Sequence, residues 1–427
     1  MWRGWSWCRS GRSSTAVCSR SGIGRGGTGR SAGRRTRRSR SRRSSHRRRD
    51  GTRSRRRLRR GADAVVVAHL ADLHLGFSAY DRSEAGRNVR ELDVEGAFLR
   101  AVEELARIRP DAVILAGDVF DRPDPPASAL VALARGVELL RERLPDAPVL
   151  ICAGPRDTSR HRRDPGVLAA LDTLPGVEAA ADAPRSVRIG DLHVLLMPHR
   201  STLDDEAPAA RPDPAARWNL LVTHARADAP AAGSAGPAID AAAWDYVALG
   251  GEHVQRAPLP HVRWAGSLER IGWRPWEEAL EEKGFLTWDL EARRATFHPL
   301  TVRAVVSLAP IRVQPGDPAR LRRRVRQLTD EVPGGIDGKI VLVRIQGARP
   351  EDLSGLTEDL LPALRARALH LSIVLVDQQR HAAPRAAAED LKARLAALMQ
   401  ADGAGGDDAH ARAAALLGEA APEATIS

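Results

Sequence analysis

Asp72 and His74 stand one leucine apart, just downstream of a run of valines, Val65 to Val67. That run predicts a buried strand, because β-branched residues suit a pleated surface covered on both sides. Two residues apart on extended backbone, a carboxylate and an imidazole leave the same face. Together they offer the oxygen and nitrogen donors that a divalent transition metal takes. Asp-x-His by itself is a common triplet, so the weight falls on the later strand ends. Asp118 comes directly after the apolar run Asp111 to Gly117 (DAVILAG), His224 closes Trp218 to His224 (WNLLVTH), and His253 closes Tyr246 to His253 (YVALGGEH). Strand after strand ending on Asp or His points to a metal centre with several ligands.

The elements that must position these residues begin at Ala64, where the pattern turns to alternating strands and helices, the sign of a layered α/β domain. Val94, Ala97, Phe98, Ala101, Val102 and Leu105 keep helical spacing. A helix is predicted over 127–143 and a strand over Pro148 to Gly154 (PVLICAG), which stops at Gly154-Pro155-Arg156-Asp157. A hairpin-like stretch spans Ser186 to Pro198, and Ala225 to Ala243 reads as a surface loop. Val262 to Leu268, Gly284 to Leu290 and Arg294 to Leu300 are the expected closing strands. The domain then covers 63–302. A strand-helix-strand-helix-strand pattern over 303–380 predicts a smaller α/β domain, and 381–427 reads as a helical C-terminal tail.

Composition bounds the partners. The formal charge of +12 is concentrated at one end, since residues 1–60 hold 22 Arg, no Lys and one acid. The rest has 44 basic and 53 acidic residues and a net charge of −9, so the folded part is acidic. Residues 1–62 lack the apolar content that offsets ordering entropy and are expected to be disordered. Arg- and Ser-rich, acid-poor composition suits non-specific phosphate binding or a targeting leader; a spurious upstream extension would look the same. Cys8, Cys18 and Cys152 are too few for a disulfide framework in 427 residues, which points to a reducing, cytoplasmic setting. No run reaches the roughly 18 apolar residues of a membrane span.

With Asp72, His74, Asp118, His224 and His253 each near a strand end, residues 64–300 resemble the calcineurin-like metallophosphoesterase superfamily. Gly-Ser-Leu-Glu-Arg at 266–270 and Glu-Glu-Lys-Gly-Phe at 281–285 resemble its SbcD branch, the nuclease subunit of bacterial double-strand-break repair complexes. Ile336 to Arg344 (IDGKIVLVR) is similar to that branch's capping domain. The resemblance implies a four-layer αββα sandwich with a small C-terminal α/β capping domain, and two metal ions at the strand ends, manganese foremost. It implies DNA as substrate, an SbcC-type coiled-coil ATPase as partner, and a homodimer.

The resemblance also implies which residues hold each ion. Asp72, His74, Asp118 and His253 would hold one; the other would share Asp118 and take an Asn and two His. Of those three, His224 is present. Where the family has Gly-Asn-His-Asp, this chain has Gly154-Pro155-Arg156-Asp157, so the Asn ligand and the His that assists the leaving group are missing. Where the family has Gly-His-x-His, this chain has Gly250-Gly251-Glu252-His253. Pro155 and Gly251 are thus degenerate metal positions. Arg156, at the acid-base position, stays protonated near neutral pH and suits a bidentate phosphate clamp better than proton transfer. Strand alternation directs Glu252 away from the side that His253 faces.

Three functions emerge as expectations: an SbcD-like metal-dependent phosphoesterase or DNA exonuclease with weakened chemistry, a non-catalytic binding or scaffold subunit of a repair complex, and a small-molecule phosphatase. Arg270 and Arg274 with Trp264, Trp273 and Trp276 admit nucleic-acid stacking and clamping, against the commoner use of such residues in packing. Arg322 to Arg326 reads as a solvated helix face. His69, His161, His193, His199 and His261 fall outside the family positions and read as packed or surface histidines.

Overall fold

The computed structural model describes residues 65–159, 166–202, 210–225, 240–272, 274–314, 316–376 and 425–426. The expectations for 1–62, for nearly all of 381–427, and for His161 and Trp273 lie outside these residues.

The first half of the chain forms β1 (Val66–Leu70), a small hairpin of β2 (Ser83–Glu84) and β3 (Arg87–Asn88), α1 (Val89–Ile108), β4 (Ala112–Ala116), α2 (Ala127–Arg143), β5 (Val149–Cys152), α3 (Gly166–Leu171) and β6 (Val177–Ala180). Asn88 starts α1 by accepting a hydrogen bond from the Arg90 amide at 2.9 Å, and Arg109, at φ 57°, ends it in the left-handed region. The apolar stripe from Val94 to Leu105 is buried, as its spacing predicts. It packs on β1, β4 and β5 through Leu70, Val113, Leu115 and Ile151.

Next come β7 (Arg185–Ile189), β8 (Leu192–Met197), the single turn α4 (His199–Thr202), β9 (Trp218–His224), β10 (Tyr246–Gly250), β11 (Arg256–Leu259), β12 (Val262–Trp264), β13 (Gly284–Asp289) and β14 (Arg294–Pro299). Two six-stranded sheets result, ordered β14-β13-β1-β4-β5-β6 and β11-β12-β10-β9-β8-β7. They share one core, in which Val67, Ile114, Ala116 and Leu150 of the first sheet meet Val194, Leu196, Leu220, Val222 and Tyr246 of the second. The far face of the second sheet is covered by a cluster that includes Leu221, Val247, Trp244 and Trp264. The expected α/β sandwich is therefore present. Because β1, β4 and β5 are parallel, as are β8, β9 and β10, each set delivers its C-terminal ends to one edge, where open α/β sheets bind ligands.

The remaining elements are β15 (Val305–Ser307), β16 (Ile311–Arg312), α5 (Pro318–Asp330), β17 (Ile340–Gln346), α6 (Ser354–Thr357), α7 (Leu360–Arg367), β18 (His370–Val376) and β19 (Thr425–Ile426). They build a separate sheet with its own core around Leu321, Val325, Ile345, Leu356, Leu364 and Ile373. Arg303 grips Asp93 of α1 with two nitrogens, at 2.5 and 2.7 Å, and Arg82 donates to the carbonyls of Ala366 and Ala368 at the end of α7, both at 2.9 Å. Tyr80 stacks on His370 with ring centroids 4.0 Å apart. On α5, Arg322 is paired with Asp359, in keeping with a solvated face. No helix among the described residues is long and apolar enough to cross a membrane.

Two local expectations are corrected. Asp72 and His74 do not leave extended backbone, because β1 stops at Leu70 and both residues adopt φ of 50° in the loop beyond it. Likewise β10 stops at Gly250, so His253 lies in the following bend, and alternation says nothing about where Glu252 points.

Candidate metal centre

The loop after β1 is laced to the loop after β4 by main-chain hydrogen bonds from Asp72 to Gly117 (3.0 Å), His74 to Asp118 (2.9 Å) and Leu75 to Val119 (2.9 Å). The left-handed conformation at Asp72, at His74 and, with φ of 48°, at Asp118 lets this loop alternate between two environments. Leu73 and Leu75 enter the α1/α2 core, whereas Asp72 and His74 turn into the space between the sheets' ends. Such conformers cost of order 1–3 kcal/mol each and persist only where the surroundings over-determine them. Gly117 lies at the same crossing with φ of 86°, and a Cβ there would sit 2.2 Å from His224 Nδ1.

Five of the residues expected at the centre come together. Asp72, His74 and His253 place ligand atoms within 4.8 Å of one another, and so do Asp72, Asp118 and His224. Asp118 also bridges the groups, with Oδ2 at 3.7 Å from His74 Nε2 and 3.6 Å from His224 Nε2. The carboxylate common to both close groups is thus Asp72, in addition to the bridging role expected of Asp118.

Each imidazole has a partner behind it. His74 Nδ1 lies 2.9 Å from Asp121 Oδ1, His224 Nδ1 donates to the Ala116 carbonyl at 3.1 Å, and His253 Nδ1 is 3.5 Å from Glu278 Oε1. With Nδ1 engaged behind, Nε2 of His74 and of His224 is the ring nitrogen turned toward the carboxylates, the arrangement typical of metal-binding histidines. His74 Nε2 is buried and has no hydrogen-bond partner. Burial, then the charge of Asp118, pushes the Asp72 carboxyl well above the usual carboxylate range, although the Gly251 amide donates to it at 3.0 and 3.1 Å. Burial holds His224 below the ordinary histidine value, so it is a neutral donor. Crowded carboxylates beside imidazoles and an orphaned nitrogen fit a divalent cation.

Several supporting residues carry no mark in the sequence that singles them out. The buried Asp157 accepts hydrogen bonds from the amides of Val119 (3.2 Å), Phe120 (2.9 Å) and Gly154 (2.9 Å), which fastens the loops after β4 and β5 together. Burial, then Asp118, raises its carboxyl to about 7. Lys283, also buried, donates to the His253 carbonyl at 2.7 Å and is paired with Glu278. Burial pushes the Glu278 carboxyl up, but the His253 hydrogen bond and Lys283 outweigh it and hold the group below its ordinary value. The signal available for Lys283 is the Glu-Glu-Lys-Gly-Phe stretch itself, which the sequence offers only as a likeness.

Pro155 and Arg156 are exposed at the rim. The Arg156 amide donates to Asp118 Oδ1 at 2.8 Å, and its guanidinium reaches the Asp121 carbonyl at 3.2 Å, so it lies over the centre as a cation. Arg270 has a different role from the substrate contact expected of it. Its guanidinium donates to the carbonyls of Glu278, Ala279, Glu281 and Arg303, strapping four main-chain sites together. Trp264 donates to the Ala225 carbonyl at 2.7 Å and packs in the outer cluster, and Trp276 packs against Val305 and Ile340. Neither is a free stacking platform. His69 is a core residue bonded to the Tyr246 hydroxyl at 2.8 Å, with burial lowering its pKa to about 3. His193 bonds Asn219 and Ser186, and His261 bonds the Ala241 carbonyl. His199 is the exception, because it interacts electrostatically with both His224 and Asp118.

Residues 65–257 match the family described as calcineurin-like phosphoesterase, so this part of the chain is a calcineurin-like phosphoesterase domain. The chain is further similar to the DNA double-strand break repair protein Mre11 of Methanococcus maripaludis, 34% identical over 99 residues, which are 23% of this chain and 25% of that protein. It is 40% identical over 116 residues to the protein of that name from Aeropyrum pernix, 26% of each chain, and 30% identical over 107 residues to that of Methanocaldococcus jannaschii, 25% and 27% respectively. These matches bear out the resemblance to the SbcD branch. The chain spans about a quarter of the length of these curated relatives.

Proposed function

We propose that this chain is a metal-dependent phosphoesterase that hydrolyses phosphodiester bonds in DNA, in the manner of an SbcD-type exonuclease, with a weakened second half-centre. The observation that carries the reading is the convergence of two close-set ligand groups on Asp72, at the shared edge of two sheets. Asp72, His74 and His253 would hold a tight ion, Mn²⁺ by the resemblance, and Asp72, Asp118 and His224 a weaker one; a mixed carboxylate and imidazole set accepts a divalent transition ion. Divalent cations supply the Lewis-acid stabilisation of the phosphoryl group in such centres. The chain's own residues do the rest. Asp121, Ala116 and Glu278 fix the imidazoles, Asp157 holds the two loops in register, and Arg156 is placed to hold a phosphate oxygen at the rim. Because guanidinium does not give up its proton near pH 7, position 156 forgoes proton donation worth about 10²- to 10⁴-fold.

The side chains at Pro155, Arg156 and Gly251 favour a second reading, a non-catalytic subunit that keeps the fold and one ion as a binding surface. Mn²⁺-dependent release of nucleotides from DNA ends by the full chain, lost on Asp72→Ala, supports the first reading. Metal uptake without cleavage of DNA, nucleotides or monoesters supports the second. A cytoplasmic setting, a coiled-coil ATPase partner of the SbcC type and a homodimer complete the proposal; the acidic body makes a partner the natural source of positive charge for DNA.

A further inference from the structure

The half-centre that lost its ligands is bordered by a histidine from a strand that had no assigned part in the site. Strand β8 runs parallel to β9 in a register that sets Met197 opposite Thr223, one residue before His224. The chain leaving β8 therefore emerges beside His224. Two residues on, the His199 amide donates to the Ala153 carbonyl at 2.9 Å, which pins it to the end of β5, just ahead of Gly154 and Pro155. The loop it is pinned to carries the Arg156 amide that donates to Asp118 at 2.8 Å. His199 is thus tied to both flanks of the pair Asp118 and His224.

The turn that presents it is well fixed. The Ser201 hydroxyl donates to the Pro198 carbonyl and the Thr202 hydroxyl to the His199 carbonyl, both at 2.7 Å. Arg200, pointing elsewhere, reaches the Ser159 carbonyl and pairs with Asp182 at 3.2 Å. The imidazole is half-buried and close enough to Asp118 and His224 to interact with both electrostatically.

We propose that His199 is a nitrogen ligand for the second, weaker divalent cation, supplying from the turn after β8 the donor that Pro155 cannot supply from the loop after β5. The inference rests on the metal-dependent reading of the site and names the residue that completes its weaker half. His199 stands outside both close-set groups, so the affinity expected there is lower than on the His74 side. A mixed set of two carboxylates and two imidazoles suits Mn²⁺ or a neighbouring transition ion.

The test is Mn²⁺ titration of the full chain by calorimetry, with electron paramagnetic resonance to detect a coupled ion pair, on the wild type, His199→Ala and Asp72→Ala. The expected result is two binding events in the wild type. In His199→Ala the weaker should be reduced by at least ~10-fold, the cost of disturbing even an outer partner of a metal site, with the tight event and the metal-free melting temperature unchanged. Asp72→Ala should lose both. A weak event unaltered in His199→Ala, or a wild type that takes up one ion, overturns the His199 assignment and leaves the proposed function standing. A wild type that binds no Mn²⁺ overturns the metal-dependent reading itself.

Discussion

Glu278→Gln separates what holds the domain together from what holds the ion. Glu278 is 9% exposed and stands between Lys283, 2% exposed, and His253 Nδ1 at 3.5 Å. Removing one member of a buried ion pair costs about 3–5 kcal/mol, because the other charge is stranded. Here the ammonium keeps two neutral acceptors, the His253 carbonyl at 2.7 Å and Ser267 Oγ at 3.1 Å, which sets the expectation at the low end, ~3 kcal/mol. For a domain of this size that is a fall in melting temperature of about 6–12 °C in chelator. The amide oxygen can still accept from His253, but the carboxylate that raises imidazole basicity is gone, so Mn²⁺ affinity should fall by about 10-fold. Adding Lys283→Met removes the stranded cation and should restore most of the stability, since trading a buried pair for apolar side chains is near neutral. Metal affinity should stay reduced in the double variant. The assays are differential scanning calorimetry in chelator and Mn²⁺ titration. Affinity that returns together with stability would show that His253 is oriented by packing alone, and the assignment of Glu278 as its orienting partner would be refuted.

Asp72→Ala removes the one side chain common to both close groups; Mn²⁺ at a hundred times the wild-type Kd should stabilise the wild type by about 2.7 kcal/mol and leave this variant's melting temperature unmoved. The double change Pro155→Asn with Arg156→His should raise Mn²⁺-dependent nuclease rate by up to about 10²- to 10⁴-fold, measured as nucleotide release from DNA ends. Gly251→His should not help, since position 251 has φ of 110° and a Cβ there would lie 2.8 Å from the Ala225 carbonyl oxygen, so a triple variant should melt lower than the double. Asp93→Ala strips the shared acceptor from Arg303 and from Arg90, itself 1% exposed, and should cost about 3 kcal/mol, seen as a lower denaturant midpoint.

The fold was legible where periodicity and burial coincide. Residues 94–105 keep one apolar face because α1 has one buried side, and the predicted span 127–143 is the observed α2. That Asp72, His74, Asp118, His224 and His253 would come together was legible as well, because a residue type at the end of an apolar run survives any error in local geometry. How the ligands are aimed was not. Three left-handed residues at 72, 74 and 118 are set by hydrogen bonds between loops 40 or more residues apart in sequence, and composition carries no trace of such pairings. The same holds for Arg270, whose apparent availability as a free cation vanishes once four carbonyls converge on it. His199 matches no family position and so carries no signal of that kind, although it follows the run Leu192 to Met197 by two residues, where His224 closes its own strand.

The pattern of losses in the Gly-Pro-Arg-Asp loop reflects a division of labour between main chain and side chain. Asp157, whose side chain binds three amides and so determines the loop's path, is retained. At position 156 the contact with Asp118 is an amide hydrogen bond, which any residue but proline supplies. Position 155 is exposed and its side chain supports nothing behind it. Side chains at 155 and 156 can therefore differ while Asp118 and the loop keep their places. Position 251 differs, because its main-chain amide serves Asp72 and its left-handed backbone favours a residue without a Cβ. Two of the three departures are thus reversible side-chain losses on an intact frame, and the third is written into the backbone. That asymmetry is why the weaker half-centre should be recoverable by two substitutions and resist a third.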